Sequence, residues 1–269
     1  MIKKTRLILF FLLLAITVNA ARIDRIEIKS EAMNTTIKTV VIVPDVEKTQ
    51  HCPVIYLLHG YMGNQESWLG IKPELPKIAD RERIIIVCPD GKNSWYLDSP
   101  LDKTSQYETF ISKELVDFID KNYRTQADRN HRAITGLSMG GHGALLNAMR
   151  HPDVFGAAGS MSGAVDIHSI DGNFRLTPLL GKLSEHPENW NKNSVMEQIA
   201  TLENGVLAIY FDCGVSDFVF EMNENLNKAL WQKGVAHDYT TRAGEHNAGY
   251  WNNSIDYHIL FFKKFFEKK

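Results

Sequence analysis

Cysteine is scarce in this sequence, and the cysteines present lack the spacing of a metal site. Cys52, Cys88 and Cys213 stand far apart among the 269 residues and form no Cys-x-x-Cys pair. This pattern argues against a zinc module and allows at most one disulfide. The alternative, which we favour, is that all three are small buried side chains at strand ends.

Long apolar runs are absent after the first twenty residues. The basic start Lys3-Lys4-Thr5-Arg6 precedes an apolar run over residues 7–18, and Val18-Asn19-Ala20 supplies small residues for cleavage. These features predict a secretory signal peptide, residues 1–20, cut after Ala20. The run is too short for a permanent anchor. We therefore expect residues 21–269 to be secreted or periplasmic, without a stable membrane anchor.

Positive charge is not in excess either. The sequence holds 30 Lys and Arg against 32 Asp and Glu, a formal net charge of −2 at pH 7. Three of the basic residues lie in the predicted leader, so the mature chain is more acidic still. A mildly acidic surface argues against nucleic acid as a partner. No Pro/Ser/Gly-rich linker or block of charge interrupts residues 21–269, which predicts a single domain.

Apolar runs that alternate with helical patterns indicate the fold class. The continuous runs expected of strands buried on both faces are residues 53–58, 84–88, 133–135, 156–161 and 206–211. The helical patterns between them are residues 73–83, 107–123 and 143–150. The N-terminal part, residues 22–43, is typical of an antiparallel pair at a sheet edge. We predict an α/β fold, a mostly parallel sheet with helices on both faces and an antiparallel N-terminal edge.

About forty residues, 162–204, carry no clear strand pattern and are rich in His, Asn, Glu and Pro. Long excursions at a sheet edge often cap a binding pocket. A solvated surface insertion is an equally good interpretation, so no residue of this segment is nominated.

A serine lies where the third buried strand gives way to a helix. Gly136-Leu137-Ser138-Met139-Gly140 fits Gly-x-Ser-x-Gly, with an apolar strand before it and a helix-compatible run after it. Such an elbow holds the serine in a strained conformation and exposes its Oγ. The motif alone also occurs in turns without chemistry. Its context makes Ser138 the candidate nucleophile.

A nucleophilic serine needs a base and an orienting carboxylate. Asp212 and Asp217 both follow a buried strand, and Asp217 is preferred because it lies farther out on the loop. His246, in the small-residue loop after the last strand, is the preferred base. The other histidines have structural interpretations: His237 at a strand edge, His59 bracing the loop that follows the first buried strand, and His142 inside the elbow helix.

Stabilising a developing oxyanion requires two N–H donors. The residue after the nucleophile and the loop after the first buried strand supply them in such folds, which assigns the backbone N–H groups of Met139 and Tyr61. Trp95-Tyr96, in the loop after the second buried strand, is placed to stack on a sugar or an aromatic acid, or else packs that loop.

With these residues assembled, the chain resembles the esterase D branch of the α/β-hydrolases, which holds S-formylglutathione hydrolases, tributyrin-type esterases, and feruloyl and acetyl-xylan esterases. The matching stretches are Ser30-Glu31-Ala32-Met33, Tyr56-Leu57-Leu58-His59-Gly60, Gly136 to Gly141, Asp212-Cys213-Gly214 with Asp217-Phe218, and His246 with Tyr250-Trp251. The resemblance implies Ser138 as nucleophile, Asp217 as acid and His246 as base, with no metal and no cofactor. We add Trp95 and Trp251 as expected substrate contacts.

The resemblance implies a secreted serine carboxylesterase acting on short-chain, acetyl or feruloyl esters, either small molecules or linked to polysaccharide. Export disfavours the S-formylglutathione substrate, because a glutathione thioester is mainly cytoplasmic. An acyltransferase of the same fold, a serine peptidase and an inactive glycan- or protein-binding scaffold are the alternatives. The sequence is compatible with a homo-oligomer.

Overall fold

The structure, a computed structural model, describes residues 21–170 and 172–268. The predicted signal peptide lies outside the described residues. Within them, eight strands form one sheet in the order β1-β2-β4-β3-β5-β6-β7-β8. The strands are β1 (Arg22–Ser30), β2 (Thr35–Val43), β3 (Val54–Leu58), β4 (Ile85–Pro89), β5 (Arg132–Gly136), β6 (Ala157–Met161), β7 (Ala208–Gly214) and β8 (Asp238–Arg242).

Strand direction divides this sheet into two parts. β1 pairs with β2, and β2 with β4, in antiparallel fashion. From β4 through β3, β5, β6 and β7 to β8 every pairing is parallel. The predicted mostly parallel sheet with an antiparallel N-terminal edge is therefore confirmed.

Both faces of the central strands are buried, which explains their unbroken apolar runs. In β3, Val54, Tyr56 and Leu58 belong to one hydrophobic cluster, whereas Ile55 and Leu57 belong to a second cluster across the sheet. Successive side chains of a strand point to opposite faces, so a strand covered on both sides needs apolar residues throughout.

Ten α-helices cover the sheet within the described residues. They are α1 (Ser67–Ile71), α2 (Leu75–Glu82), α3 (Tyr107–Thr109), α4 (Leu115–Asn122), α5 (Met139–Arg150), α6 (Leu176–Leu180), α7 (Pro187–Asn193), α8 (Val195–Gln198), α9 (Phe220–Lys233) and α10 (Ala248–Phe266). Helices α4, α5 and α9 pack into one apolar cluster, and α2 and α10 into the other. In this part of the chain none of the helices is long and apolar enough to cross a membrane.

Several predicted boundaries are wrong by a few residues. The helix expected over residues 73–83 is α2, which begins at Leu75 and ends where Arg83 turns into the left-handed region. The pattern over 107–123 contains a π-helical turn, Phe110–Glu114, between α3 and α4. The strand expected over residues 206–211 is β7, which begins at Ala208 and ends at Gly214, because its pairing with β8 continues to Gly214.

The segment 162–204 folds into short helices, and its described residues contain no strand. The segment contacts α5 through a hydrogen bond that Nε2 of His142 donates to the Asn193 carbonyl at 2.9 Å. Trp190 of α7 is fully buried. This segment therefore packs against the helix that follows Ser138.

All three cysteines are buried and unpaired. Burial raises the pKa of the Cys52, Cys88 and Cys213 thiols above its ordinary value. Of the two interpretations that the sequence left open, the buried apolar side chain is the one observed.

Candidate active site

Ser138 occupies a sharp turn between β5 and α5. Its φ of 54° and ψ of −118° lie outside the regions that ordinary residues favour. The turn brings backbones so close that a β-carbon on Gly136 would lie 2.6 Å from the Gly140 backbone, and one on Gly140 would lie 2.5 Å from the His59 carbonyl oxygen. Glycine is therefore required on both sides of this elbow.

The structure brings Ser138, His246 and Asp217 together. The Oγ of Ser138 lies 2.9 Å from Nε2 of His246, and Nδ1 of the same ring lies 2.9 Å from both carboxylate oxygens of Asp217. Because an ionised carboxylate only accepts, Nδ1 carries the proton and Nε2 is free to accept the serine proton. The geometry is that of a serine activated by an oriented imidazole.

Asp217 is held in the ionised state. Burial alone would raise its pKa, but the hydrogen bond from His246 and another from the backbone N–H of Val219, at 3.0 Å, outweigh burial and lower the pKa of Asp217. A carboxylate kept negative beside an imidazole favours the protonated form of that ring.

Adjacent strand ends carry the candidate acid and the candidate base. Asp217 follows β7, and His246 follows β8, its parallel neighbour. The loops meet through two backbone hydrogen bonds, from Val215 N–H to the Arg242 carbonyl at 2.9 Å and from Ser216 N–H to the Gly244 carbonyl at 3.0 Å. The carboxyl edge of the parallel sheet thus assembles residues that are far apart in the chain.

Two aromatic rings flank His246. The ring of Phe218 lies 4.6 Å from the imidazole, centroid to centroid, and Trp251 meets it edge-on at 5.0 Å. Phe218 is 61% exposed despite its size. The two rings restrict the rotation of the imidazole. Trp251, an expected substrate contact, also borders the cavity that opens at Ser138.

The two expected oxyanion donors also lie beside Ser138. Tyr61 and Met139 border the same cavity, and neither backbone N–H donates to an acceptor within residues 21–170 and 172–268. The Gly60 carbonyl accepts from Nδ1 of His59 at 2.7 Å and from Gly63 N–H at 3.0 Å. Since that carbonyl shares a planar peptide with the Tyr61 N–H, these bonds fix the direction of the donor.

A mostly apolar cavity of about 400 Å³ opens at the serine. Its lining residues are Gly60, Tyr61, Met62, Gly63, Ser67, Ile71, Trp95, Leu137, Ser138, Met139, Ala164, Ile170, Phe174, Phe218, His246 and Trp251. No Asp, Glu, Lys or Arg is among them. The cavity suits an uncharged group of a ligand.

Trp95 takes part in the cavity wall, but it is only 1% exposed and Tyr96 is fully buried. The indole N–H of Trp95 donates to the Phe174 carbonyl at 2.9 Å, and the Tyr96 hydroxyl donates to the His59 carbonyl at 3.1 Å. The packing interpretation thus describes Tyr96. Trp95 combines packing with a small contribution to the wall.

Three of the cavity residues lie in the segment 162–204, from which the sequence nominated none: Ala164, Ile170 and Phe174. Phe174 lies against Tyr61, with ring centroids 5.4 Å apart in an edge-to-face arrangement. The only signal in the sequence was their apolar character within a polar segment, which does not reveal the direction of a side chain.

A match over most of the chain decides the family. The model of a protein family described as putative esterase matches residues 30–262. The chain belongs to this esterase family.

Individual relatives agree with this assignment. The esterase is 28% identical over 247 residues to an acetyl esterase of Caldicellulosiruptor saccharolyticus, covering 82% of this chain and 90% of that protein. A solved ferulic acid esterase is 27% identical, with a TM-score of 0.78, over 91% of this chain and 99% of the other. A fluorophosphonate-binding serine hydrolase of Staphylococcus aureus shares the fold, with a TM-score of 0.81, 18% identity, and 91% and 99% coverage.

The comparisons confirm the predicted α/β-hydrolase fold and the resemblance to the esterase D branch. The esterase is a serine hydrolase of carboxylic esters. Among its described residues, no group of three His, Cys, Asp or Glu side chains is arranged to hold a metal ion.

The side chains of the remaining candidates of this esterase contact residues other than Ser138. Nδ1 of His237 donates to the Val235 carbonyl at 2.8 Å, and Nε2 lies 2.9 Å from the side-chain oxygen of Asn227. Burial lowers the pKa of His142 to about 4, so its ring stays neutral. Asp212 is fully buried in β7 and pairs with Arg242 at 2.6 Å. These three side chains make structural contacts.

Proposed function

We propose that this esterase is an exported serine carboxylesterase that works through an acyl-enzyme, with Ser138 as nucleophile, His246 as general base and Asp217 as orienting acid. The unbroken chain of hydrogen-bond distances from Ser138 through His246 to Asp217, each 2.9 Å, supports this assignment. The sequence of residues 1–20, which has the features of a cleavable leader, supports export.

In the first half of the reaction, Nε2 of His246 takes the proton of Ser138 as Oγ bonds to the ester carbonyl carbon. The carbonyl oxygen becomes an oxyanion, which the N–H groups of Tyr61 and Met139 stabilise. The His246 imidazolium then gives its proton to the alcohol oxygen as the carbon–oxygen bond breaks. The alcohol leaves and the acyl group remains on Ser138.

In the second half, a water molecule replaces the alcohol. His246 takes one proton from this water as its oxygen bonds to the acyl carbon, and the same two N–H groups hold the second oxyanion. The proton then passes to Oγ as the bond to Ser138 breaks, which releases the carboxylic acid. The charge of Asp217 stabilises the imidazolium in both halves.

The substrate that fits best is an uncharged acyl ester, acetyl or feruloyl, on a small molecule or a polysaccharide. The apolar lining of the cavity and its volume of about 400 Å³ leave room for an aromatic acyl group. The similarity to an acetyl esterase and to a ferulic acid esterase supports the same class.

The proposal is tested with the purified mature protein on p-nitrophenyl acetate, p-nitrophenyl butyrate and methyl ferulate. We expect hydrolysis of at least one of these esters and a loss of at least about a thousandfold in kcat for Ser138→Ala. Ser184→Ala, which alters an exposed serine outside the cavity, serves as the matched control. Hydrolysis that survives in Ser138→Ala would overturn the assignment.

A further inference from the structure

A second group of polar side chains lies beneath the catalytic one, and the reaction described above does not use it. Its centre is Asp212, whose side chain is 0% exposed. A buried carboxylate is costly unless charged or polar partners surround it. Burial by itself would raise the pKa of Asp212, but neighbouring His258 and Arg242 outweigh burial and lower it. The core of this esterase therefore holds a negative charge.

The partners of Asp212 come from both sides of the base. Nη2 of Arg242 donates to Oδ2 at 2.6 Å, and the Ser254 hydroxyl donates to the same oxygen. The Tyr250 hydroxyl reaches Oδ1 at 3.3 Å. Arg242 is the last residue of β8, just before the His246 loop, whereas Tyr250 and Ser254 belong to α10, just after it. Asp212 thus holds both ends of the loop that carries the base.

The same group of side chains reaches the strand of the nucleophile. Nδ1 of His258 lies 2.9 Å from the hydroxyl of Thr135, and Nε2 lies 3.6 Å from Oδ2 of Asp212. Thr135 belongs to β5, just before Ser138. Thr135, Asp212 and Arg242 therefore precede Ser138, Asp217 and His246 respectively, each on the strand that leads to its catalytic partner.

We propose that Asp212 is a positioning residue, whose buried contacts with Arg242, Ser254 and Tyr250, and through His258 with Thr135, fix the spacing of the three strand ends that carry Ser138, Asp217 and His246. The loops that follow β7 and β8 pack closely against each other, since a β-carbon on Gly214 would lie 2.4 Å from the Gly244 carbonyl oxygen. A small shift of β8 against β7 therefore changes the distance between His246 and Asp217. This inference rests on the proposed catalytic roles.

The direct test is Asp212→Asn, which keeps the shape of the side chain and removes its charge. We expect kcat on p-nitrophenyl acetate to fall by about 10- to 100-fold, the size expected when reacting groups are displaced by a fraction of an ångström to 1 Å. KM should stay within about twofold, because the cavity lining is unchanged. Asp153→Asn, at an exposed position, is the matched control and should keep the wild-type kcat.

A double variant separates positioning from stability. Asp212→Asn combined with Arg242→Gln removes both charges, so that no unpaired guanidinium remains near the core. We expect this variant to regain thermal stability relative to Asp212→Asn while its kcat, per active site titrated with a fluorophosphonate, stays low. A kcat that recovers together with stability would assign Asp212 a structural role only and overturn the proposal.

Two milder substitutions, combined in one variant, test the proposal even if Asp212→Asn fails to fold. Ser254→Ala and Tyr250→Phe together remove two donors to Asp212 and leave its charge pair intact. We expect a several-fold loss of kcat with KM unchanged, and a wild-type kcat in this folded variant would overturn the proposal. If the wild type cleaves esters and Ser138→Ala does not, such a result counts against the positioning role alone, and the proposed function stands.

Discussion

Backbone crowding at Ser138 decides which side chains its neighbours can carry. The serine itself adopts a positive φ, and the helix after it begins against the backbone of Leu58 and His59. A methyl group on Gly140 would collide with main-chain atoms of Leu58 and His59. These atoms cannot move aside as the end of a flexible side chain could. The position of Tyr61 N–H depends on the same backbone.

Gly140→Ala should therefore harm both stability and catalysis. We expect a loss of about 1–3 kcal/mol in the free energy of unfolding from overpacking, and a fall in kcat of about 100-fold as the Gly60–Tyr61 peptide is displaced. Denaturant unfolding and steady-state kinetics measure the two effects.

Gly70→Ala is the matched control, because apart from its chain neighbours and the backbone of its own helix no atom lies within 4 Å of the β-carbon it adds. It should keep the wild-type kcat and unfold at the same or a slightly higher denaturant concentration. Equal behaviour of the two variants would contradict the crowding argument.

At the scale of elements, the segment 162–204 completes the cavity that the sheet edge begins. Phe174 is 39% exposed and lies against Tyr61, whose backbone N–H is an expected oxyanion donor. Ile170 and Phe174 form a wall that the strands alone do not provide.

Phe174→Ala should weaken the binding of larger acyl groups selectively. Removing the ring takes away apolar contact worth about 1–2 kcal/mol for a group that reaches it. We expect KM for the butyrate ester to rise by about 5- to 30-fold and KM for the acetate ester to change less than twofold. Leu101→Ala, at an exposed position outside the cavity lining, should change neither. Equal rises for both esters would rule out a role in acyl selection.

The elements differ in how well the sequence predicted them. β3, β4 and β5 are buried on both faces, so their apolar runs were unmistakable, and a glycine-bounded serine marked the elbow. Order along the chain and loop position then favoured Asp217 and His246 as partners of Ser138, which the structure brings together. The short helices of 162–204 gave no such signal, because helices of four to seven residues show little periodicity and depend on packing against α5.

The local sequence pattern also did not predict that Trp95 and Tyr96 are buried. Trp95 and Tyr96 both adopt positive φ, which turns their side chains in a way that spacing along the chain does not reveal. Contacts with His59, His142 and Phe174, distant in sequence, account for their burial.

For the whole molecule, buried carboxylates make stability depend on pH. Glu108, beside Arg150 and His151, is 14% exposed. Burial would raise the pKa of Glu108, but its hydrogen bond with His151 and the charge of Arg150 lower it. A folded-state pKa below the unfolded value gives stability that is complete above the unfolded pKa, about 4.3 for Glu, and is lost as pH falls through the folded pKa.

Glu108→Gln should accordingly cost about 1–3 kcal/mol in the free energy of unfolding at pH 7, and the difference from wild type should shrink as pH approaches 3. Urea titrations at pH 7, 5 and 3.5 measure it. Glu185→Gln removes an exposed pair with Lys182 and should cost less than about 0.5 kcal/mol at every pH. A deficit for Glu108→Gln that is constant across this range would contradict the linkage.

The order of Ser138, Asp217 and His246 along the chain has a consequence for biosynthesis. His246 is the last of them to be made, and the helix that locks its loop, α10, is made after it. With the roles proposed above, a nascent polypeptide already contains the hydroxyl of Ser138 but not yet the imidazole that takes its proton. The ester-cleaving site is therefore complete only after the C-terminal helix has been synthesised and has docked.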